Sequence, residues 1–107
     1  MKYLTRKEEL LLLTILRLKK EASLVKIREH LNTFTDKKWS VGNVYVALDR
    51  MTKEGYLQSY SGEPSAKRGG KAVKFYKLTE DGIKALADIK KVQSVMWKGL
   101  AELSPKE

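Results

Sequence analysis

With 107 residues the chain is sized for one small domain with a modest core, and such a core is expected to gain stability from a partner. A hydrophobic content of 42% is too high for a disordered chain, and the lack of cysteine excludes a disulfide framework, a thiolate metal site and a thiol nucleophile. The net charge of +9 is uneven: residues 1–20 hold six basic and two acidic side chains, residues 61–78 hold five and one, and residues 79–107 hold five of each. Two basic regions of that kind read as a footprint for a polyanion, most simply nucleic acid.

Glu8-Glu9 directly before the apolar run, with no small-residue cleavage site after it, do not fit a signal peptide. The longest apolar run, Leu10 to Leu13, is far too short to span a bilayer. A cytoplasmic protein with no membrane partner is expected.

Thr5 and Glu8 form a Thr-x-x-Glu capping box, so the first helix is predicted from about Arg6 to Lys19. Its leucines and isoleucine, among them Leu11 and Ile15, point nearly all round the axis. A helix apolar all round must be covered on more than one side, so Leu11 and Ile15 are assigned to contact with a second subunit. Ser23 caps a second helix over 24–34, with Leu24, Ile27 and Leu31 inward and Val25 and Phe34 nearby. His30 has no acidic or histidine neighbour at ligand spacing and is read as an ordinary surface or partly packed side chain. No metal site is expected.

Residues 39–55 carry the most information. Ser40 caps a third helix, Trp39 can pack on Val44 as a hydrophobic staple, and Gly55 ends it where positive φ costs nothing. Val41, Val44, Leu48 and Met51 form the inner stripe with Tyr45 at its edge. The outer face offers Gly42, Asn43, Val46 and Arg50, together with the negative Asp49. Beyond Gly55 the period changes: 56–60 and 73–78 read as strands, joined by a basic, glycine-rich loop. Thr79 caps the last helix, of roughly 25 residues and 37 Å. Ile89, Met96, Trp97 and Leu100 recur along it, and its far half needs a cover, most simply the first helix of a second copy.

Helix–helix–helix–strand–wing–strand–helix is the order of a winged helix-turn-helix, in which the third helix enters the major groove. Asn43 can pair with adenine, Arg50 can reach guanine or a phosphate, and Val46 can meet a thymine methyl. Gly42 removes bulk where backbone must approach DNA. Ser40 and Tyr45 are assigned to backbone, and Lys67, Arg68, Lys71 and Lys74 of the wing to phosphate or minor-groove contact. Asp49 opposes phosphate contact, so the helix is expected to supply selectivity more than affinity. No catalytic residues or cofactor are expected: the acidic pairs Glu8-Glu9 and Glu80-Asp81 sit in first helical turns, and no phosphate-cradling motif is present.

Ser40-Val41-Gly42-Asn43-Val44-Tyr45-x-Ala47-Leu48-x-Arg50-Met51-x-x-x-Gly55 resembles the recognition-helix signature of PadR-like transcriptional regulators. Gly69-Gly70-Lys71-x-x-Lys74-x-Tyr76-x-Leu78-Thr79-x-x-Gly82 resembles that family's wing run, in the proper order and separation. The likeness covers about residues 8–100, and the short tail resembles the compact subfamily with a single C-terminal helix. It implies a homodimeric repressor that leaves a double-stranded operator when a small molecule, such as a planar aromatic or phenolic compound, binds. In compact members the ligand can lie at the dimer interface near an aromatic residue of the last helix, a place that Trp97 occupies; simple dimer packing is the other reading of Trp97.

The expected fold is therefore α+β and mostly α: a winged helix-turn-helix over 1–78 and a C-terminal dimerisation helix and tail over 79–107, in one compact unit. The expected function is binding of a pseudo-palindromic DNA operator as a homodimeric transcriptional regulator. The alternative is a winged-helix module for protein–protein contact without specific DNA binding.

Overall fold

The computed structural model describes residues 3–62 and 73–100. Lys67, Arg68, Lys71 and the glycines beside them lie outside the described residues, as does everything after Leu100. The elements run α1 (Arg6–Leu18), a 3₁₀ turn (Lys19–Glu21), α2 (Leu24–Phe34), α3 (Val41–Lys53), β1 (Leu57–Ser61), β2 (Lys74–Leu78) and α4 (Glu80–Trp97). This is the mostly helical α+β winged helix expected. Among the described residues no helix is long and apolar enough to cross a membrane.

Local chemistry sets each start. The Thr5 hydroxyl accepts from the Glu8 N–H at 3.2 Å while a Glu8 carboxylate oxygen accepts from the Thr5 N–H at 2.8 Å, closing the capping box. Ser23, Ser40 and Thr79 cap α2, α3 and α4 in the same way, each accepting from the N–H three residues on. The end of α3 is a Schellman motif: the Tyr56 N–H donates to the Met51 carbonyl, the Gly55 N–H donates to that of Thr52, and Gly55 has φ 89°.

Leu11, Leu12, Ile15, Ile27, Leu31, Val44, Leu48, Met51 and Leu57 are almost wholly buried in one core, which Trp39 and Tyr76 extend. Leu11 and Ile15, expected to cover a second subunit, are thereby corrected: they are 0% and 2% exposed within their own chain. The apolar residues of α1 left to solvent are Leu13 and Leu16. Val41 is likewise exposed, because the inner stripe is set by Val44, Ala47, Leu48 and Met51 and leaves Val41 at its margin. Val25 and Phe34 of α2 are exposed too, and Phe34 instead lies against His30 and beneath the Arg17 guanidinium.

β1 and β2 pair antiparallel with Leu57 opposite Leu78 and Ser59 opposite Tyr76. A bridge between Ser23 and Phe75 on the other edge of β2, with the Tyr76 N–H donating to the Ala22 carbonyl at 3.0 Å, ties the wing to the start of α2. α4 has 18 residues rather than the roughly 25 expected. It stops because Gly99 takes φ 83° and the Lys98 and Leu100 N–H groups turn back to the carbonyls of Val95 and Trp97.

The root of α4 is fixed to the end of α3. The Thr79 hydroxyl donates to the Gly55 carbonyl, and the Thr79 N–H donates to the Tyr56 carbonyl. Gly82, buried in the first turn of α4, passes so close to that Tyr56 carbonyl that a Cβ would clash with it. Farther along, the Gln93 amide donates to Glu9 at 3.3 Å and lays α4 across α1.

Candidate nucleic-acid interface

α3 buries one stripe, and the strip opposite is open. Gly42 has nothing within 4 Å of where a Cβ would stand, so its small size answers no demand of this chain's own packing. Val46, one to two turns along, is 61% exposed, an isolated apolar side chain facing outward. Asp49 and Lys53 complete the strip as an i,i+4 ion pair at 3.1 Å, so the acidic charge on this face is compensated by its own helix. Ser40 is committed to the cap, accepting from the Asn43 N–H at 3.1 Å.

The two flanks of α3 face different neighbours. Asn43 and Arg50, seven residues apart and so on one side, look toward α1. Arg50, expected to reach bases, is turned back: its guanidinium stands 3.7 Å from the Glu8 carboxylate and 3.9 Å from that of Glu54. Glu8 is only 2% exposed, so Arg50 supplies the cation that a buried carboxylate requires. Asn43 opens onto a cleft shared with Arg6, Lys7, Lys37, Lys38 and Trp39.

Tyr45 and Asp49, four residues apart, face the wing sheet on the other flank. There both act electrostatically on the buried Tyr76 phenol, and the Lys74 ammonium stands 5.8 Å from the Tyr76 ring centroid. Lys74 therefore stands on the face of the sheet that carries Tyr76. On the opposite face of the sheet Tyr60 and Phe75 stack at 5.8 Å.

The last helix exposes Val95, Met96, Trp97 and, just past its end, Leu100. Val95 and Met96 join Tyr3, Asp88, Lys91 and Val92 around a surface cleft of about 400 Å³. Ile89 is half-buried against the core. Leu13 and Leu16 share a strip of α1 with Glu9, the residue that meets Gln93 of α4. His30 accepts from the Arg17 guanidinium at 3.3 Å.

Sequence reasoning missed the Arg50–Glu8 pair because the capping box already accounted for Glu8, and missed Lys37 and Lys38 because they lie between helices with no periodicity to mark them. The signal for the two lysines was present all the same: they are adjacent and stand two residues before the Ser40 cap of α3.

The sequence model described as the Transcriptional regulator PadR-like family matches residues 12–88. No curated protein matches the sequence significantly. Among solved structures, a PadR-like transcriptional regulator from Bacillus cereus is similar at 22% identity and TM-score 0.70, covering 94% of this chain and 96% of that one. A PadR family transcription regulator from Clostridium difficile is similar at 23% identity and TM-score 0.63, covering 90% and 92%. PadR of Bacillus subtilis, solved in complex with operator DNA, matches at 22% identity and TM-score 0.57, over 78% of this chain and 46% of that one. At these identities the structural likeness concerns the fold.

Burial first, then the Tyr45 hydroxyl and the Asp49 carboxylate, push the Tyr76 phenol above the ordinary tyrosine value of about 10. The unfolded chain then ionises first, so this contribution to stability is full below about pH 10 and is lost as pH rises beyond it. Between about pH 9.5 and 11, Tyr76→Phe should lose less stability than the parent chain in thermal melts. Parallel loss in the two chains would show that the phenol is not held neutral by the fold.

Proposed function

The chain belongs to the PadR-like family of transcriptional regulators, and on that premise we propose that it binds a pseudo-palindromic DNA operator as a homodimer and acts as a repressor. The observation that carries this reading is the outer strip of α3: open space at Gly42, an exposed Val46, and a flanking Asn43 whose side chain makes no hydrogen bond among the described residues. The DNA complex of the Bacillus subtilis relative supports the same use of the fold.

In this reading α3 lies in the major groove, with Asn43 and Val46 meeting base edges and Gly42 allowing close approach. Tyr45 and Ser40 hold backbone. Arg50 keeps α1 and α3 aligned and offers its exposed half to a phosphate, a different role from the base contact its sequence position implied. Lys74, with Lys67, Arg68 and Lys71 of the wing loop, supplies salt-sensitive affinity. The family is one of transcriptional regulators, and we assign the chain no catalysis.

The dimer would form on the exposed apolar residues Tyr3, Leu13, Leu16, Val95, Met96, Trp97 and Leu100, of which Tyr3, Val95 and Met96 line one cleft. Ile89 would sit at its inner margin, and Leu11 and Ile15 support it from beneath. A planar aromatic or phenolic effector would lie against Trp97 at this interface and release the operator.

Selection of bound sites from random duplex tests the reading directly. Asn43→Ala should relax preference at one base pair and cost on the order of 1–3 kcal/mol there. No duplex binding at low salt would sink the reading and favour a protein partner for the winged helix. Sedimentation at micromolar concentration should give twice the chain mass; a single-chain mass refutes the dimer. Planar aromatic compounds should quench the parent protein but not Trp97→Phe, which keeps Trp39. A flat response in the parent across a broad panel would leave Trp97 as packing alone.

A further inference from the structure

The basic region at the N-terminus is not used by the reading helix or the wing, and the structure shows where part of it goes. Arg6 and Lys7, from the first turn of α1, meet Lys37 and Lys38, from the α2–α3 connection, around a cleft of about 470 Å³ floored by Trp39 and edged by Asn43. Among the described residues, four cations line it and no carboxylate does. Arg6 is held to Glu9 at 3.5 Å, whereas Lys37 and Lys38 have no ion-pair partner among the described residues.

The wall is preorganised. The Trp39 N–H donates to the Asn32 side chain at 2.7 Å, its carbonyl accepts from Arg28 at 2.7 Å, and its indole N–H donates to the Thr35 hydroxyl at 3.0 Å. The Lys7 ammonium lies 5.4 Å from the indole centroid, which keeps a second cation at the rim. With Trp39 fixed in this way, the backbone that carries Lys37 and Lys38 is held in place, and less order has to be gained when the cleft takes a ligand.

Position identifies the ligand. Asn43 and Arg50 mark the flank of α3 that faces this cleft, and Tyr45 and Asp49 mark the flank that faces Lys74 and the wing. The two cationic groups thus straddle the outer strip of α3. A major groove about 12 Å wide is bordered by a sugar–phosphate backbone on each side, and a helix about 10–12 Å across fills it. We infer that the cleft at the α1 start seats the duplex backbone on the side of α3 opposite the wing, so that each protomer clamps both borders of the groove it reads. The inference rests on the DNA-binding reading and adds a contact surface to it.

The test is the salt dependence of duplex binding by the full chain. Lys37→Gln/Lys38→Gln should lower the slope of log K against log salt by about 0.9 per cation on each half-site, and adding Lys7→Gln should lower it by about as much again. Base preference should not change, in contrast to Asn43→Ala. Lys84→Gln/Lys90→Gln on α4 removes the same charge as the lysine pair and should leave the slope nearly unchanged. If the Lys37/Lys38 pair behaves like the α4 pair, or Lys7→Gln adds nothing, the inference is overturned while DNA binding stands. A parent chain that binds no duplex at low salt overturns both. The Lys37/Lys38 pair is exposed, so its melting temperature should match the parent and exclude misfolding as the cause.

Discussion

The structure depends on a carboxylate that has been taken out of water. Glu8 closes the cap of α1 with one oxygen and faces Arg50 of α3 with the other, while almost none of the residue is exposed. A buried charge of this kind is tolerated only when its cation and hydrogen-bond donors are in place. The start of α1 and the outer flank of α3 are therefore held in one relative position. The basic cleft beside Asn43 exists because that position is fixed.

α3 is consequently supported unequally. One side packs on the core, one flank is tied to α1 by an ion pair, and the other faces the side of the sheet that carries Tyr76. What is left to solvent is a narrow strip with little charge of its own, since Lys53 compensates Asp49. Apart from Lys53, which is spent on Asp49, the cations near α3 stand at the borders of the strip. In the proposed reading this arrangement would put long-range attraction at the edges and discrimination at the centre.

Much of the fold was legible in the sequence because it rests on local rules. The Thr5, Ser23, Ser40 and Thr79 caps and the Gly55 stop each act within a few residues, and the change from helical to strand period after Gly55 is equally local. What was not legible depends on contacts far apart in the chain. Leu11 and Ile15 looked like surplus apolar residues because periodicity cannot count how many neighbours α1 has; α2, β2 and α4 all cover it. The end of α4 was placed too late because the apolar repeat continues past Gly99, whose backbone conformation ends the helix regardless. Arg50 carried the right residue type for base contact, and only its pairing with Glu8 reveals a second demand on it. The helix's place as the outward element was readable, whereas the division of labour among its side chains was not.

The joint at the root of α4 has a mechanical consequence. Thr79 grips the turn that ends α3, and Gly82 leaves no gap at the Tyr56 carbonyl, so the two helices meet at a pivot with almost no play. α4 is a rod of about 27 Å, and over that length a tilt of about 5° moves the far end by roughly 2 Å. A second tie, from Gln93 to Glu9, fixes the direction of the rod against α1, so the place of Trp97 is set by contacts at two points far apart in the chain.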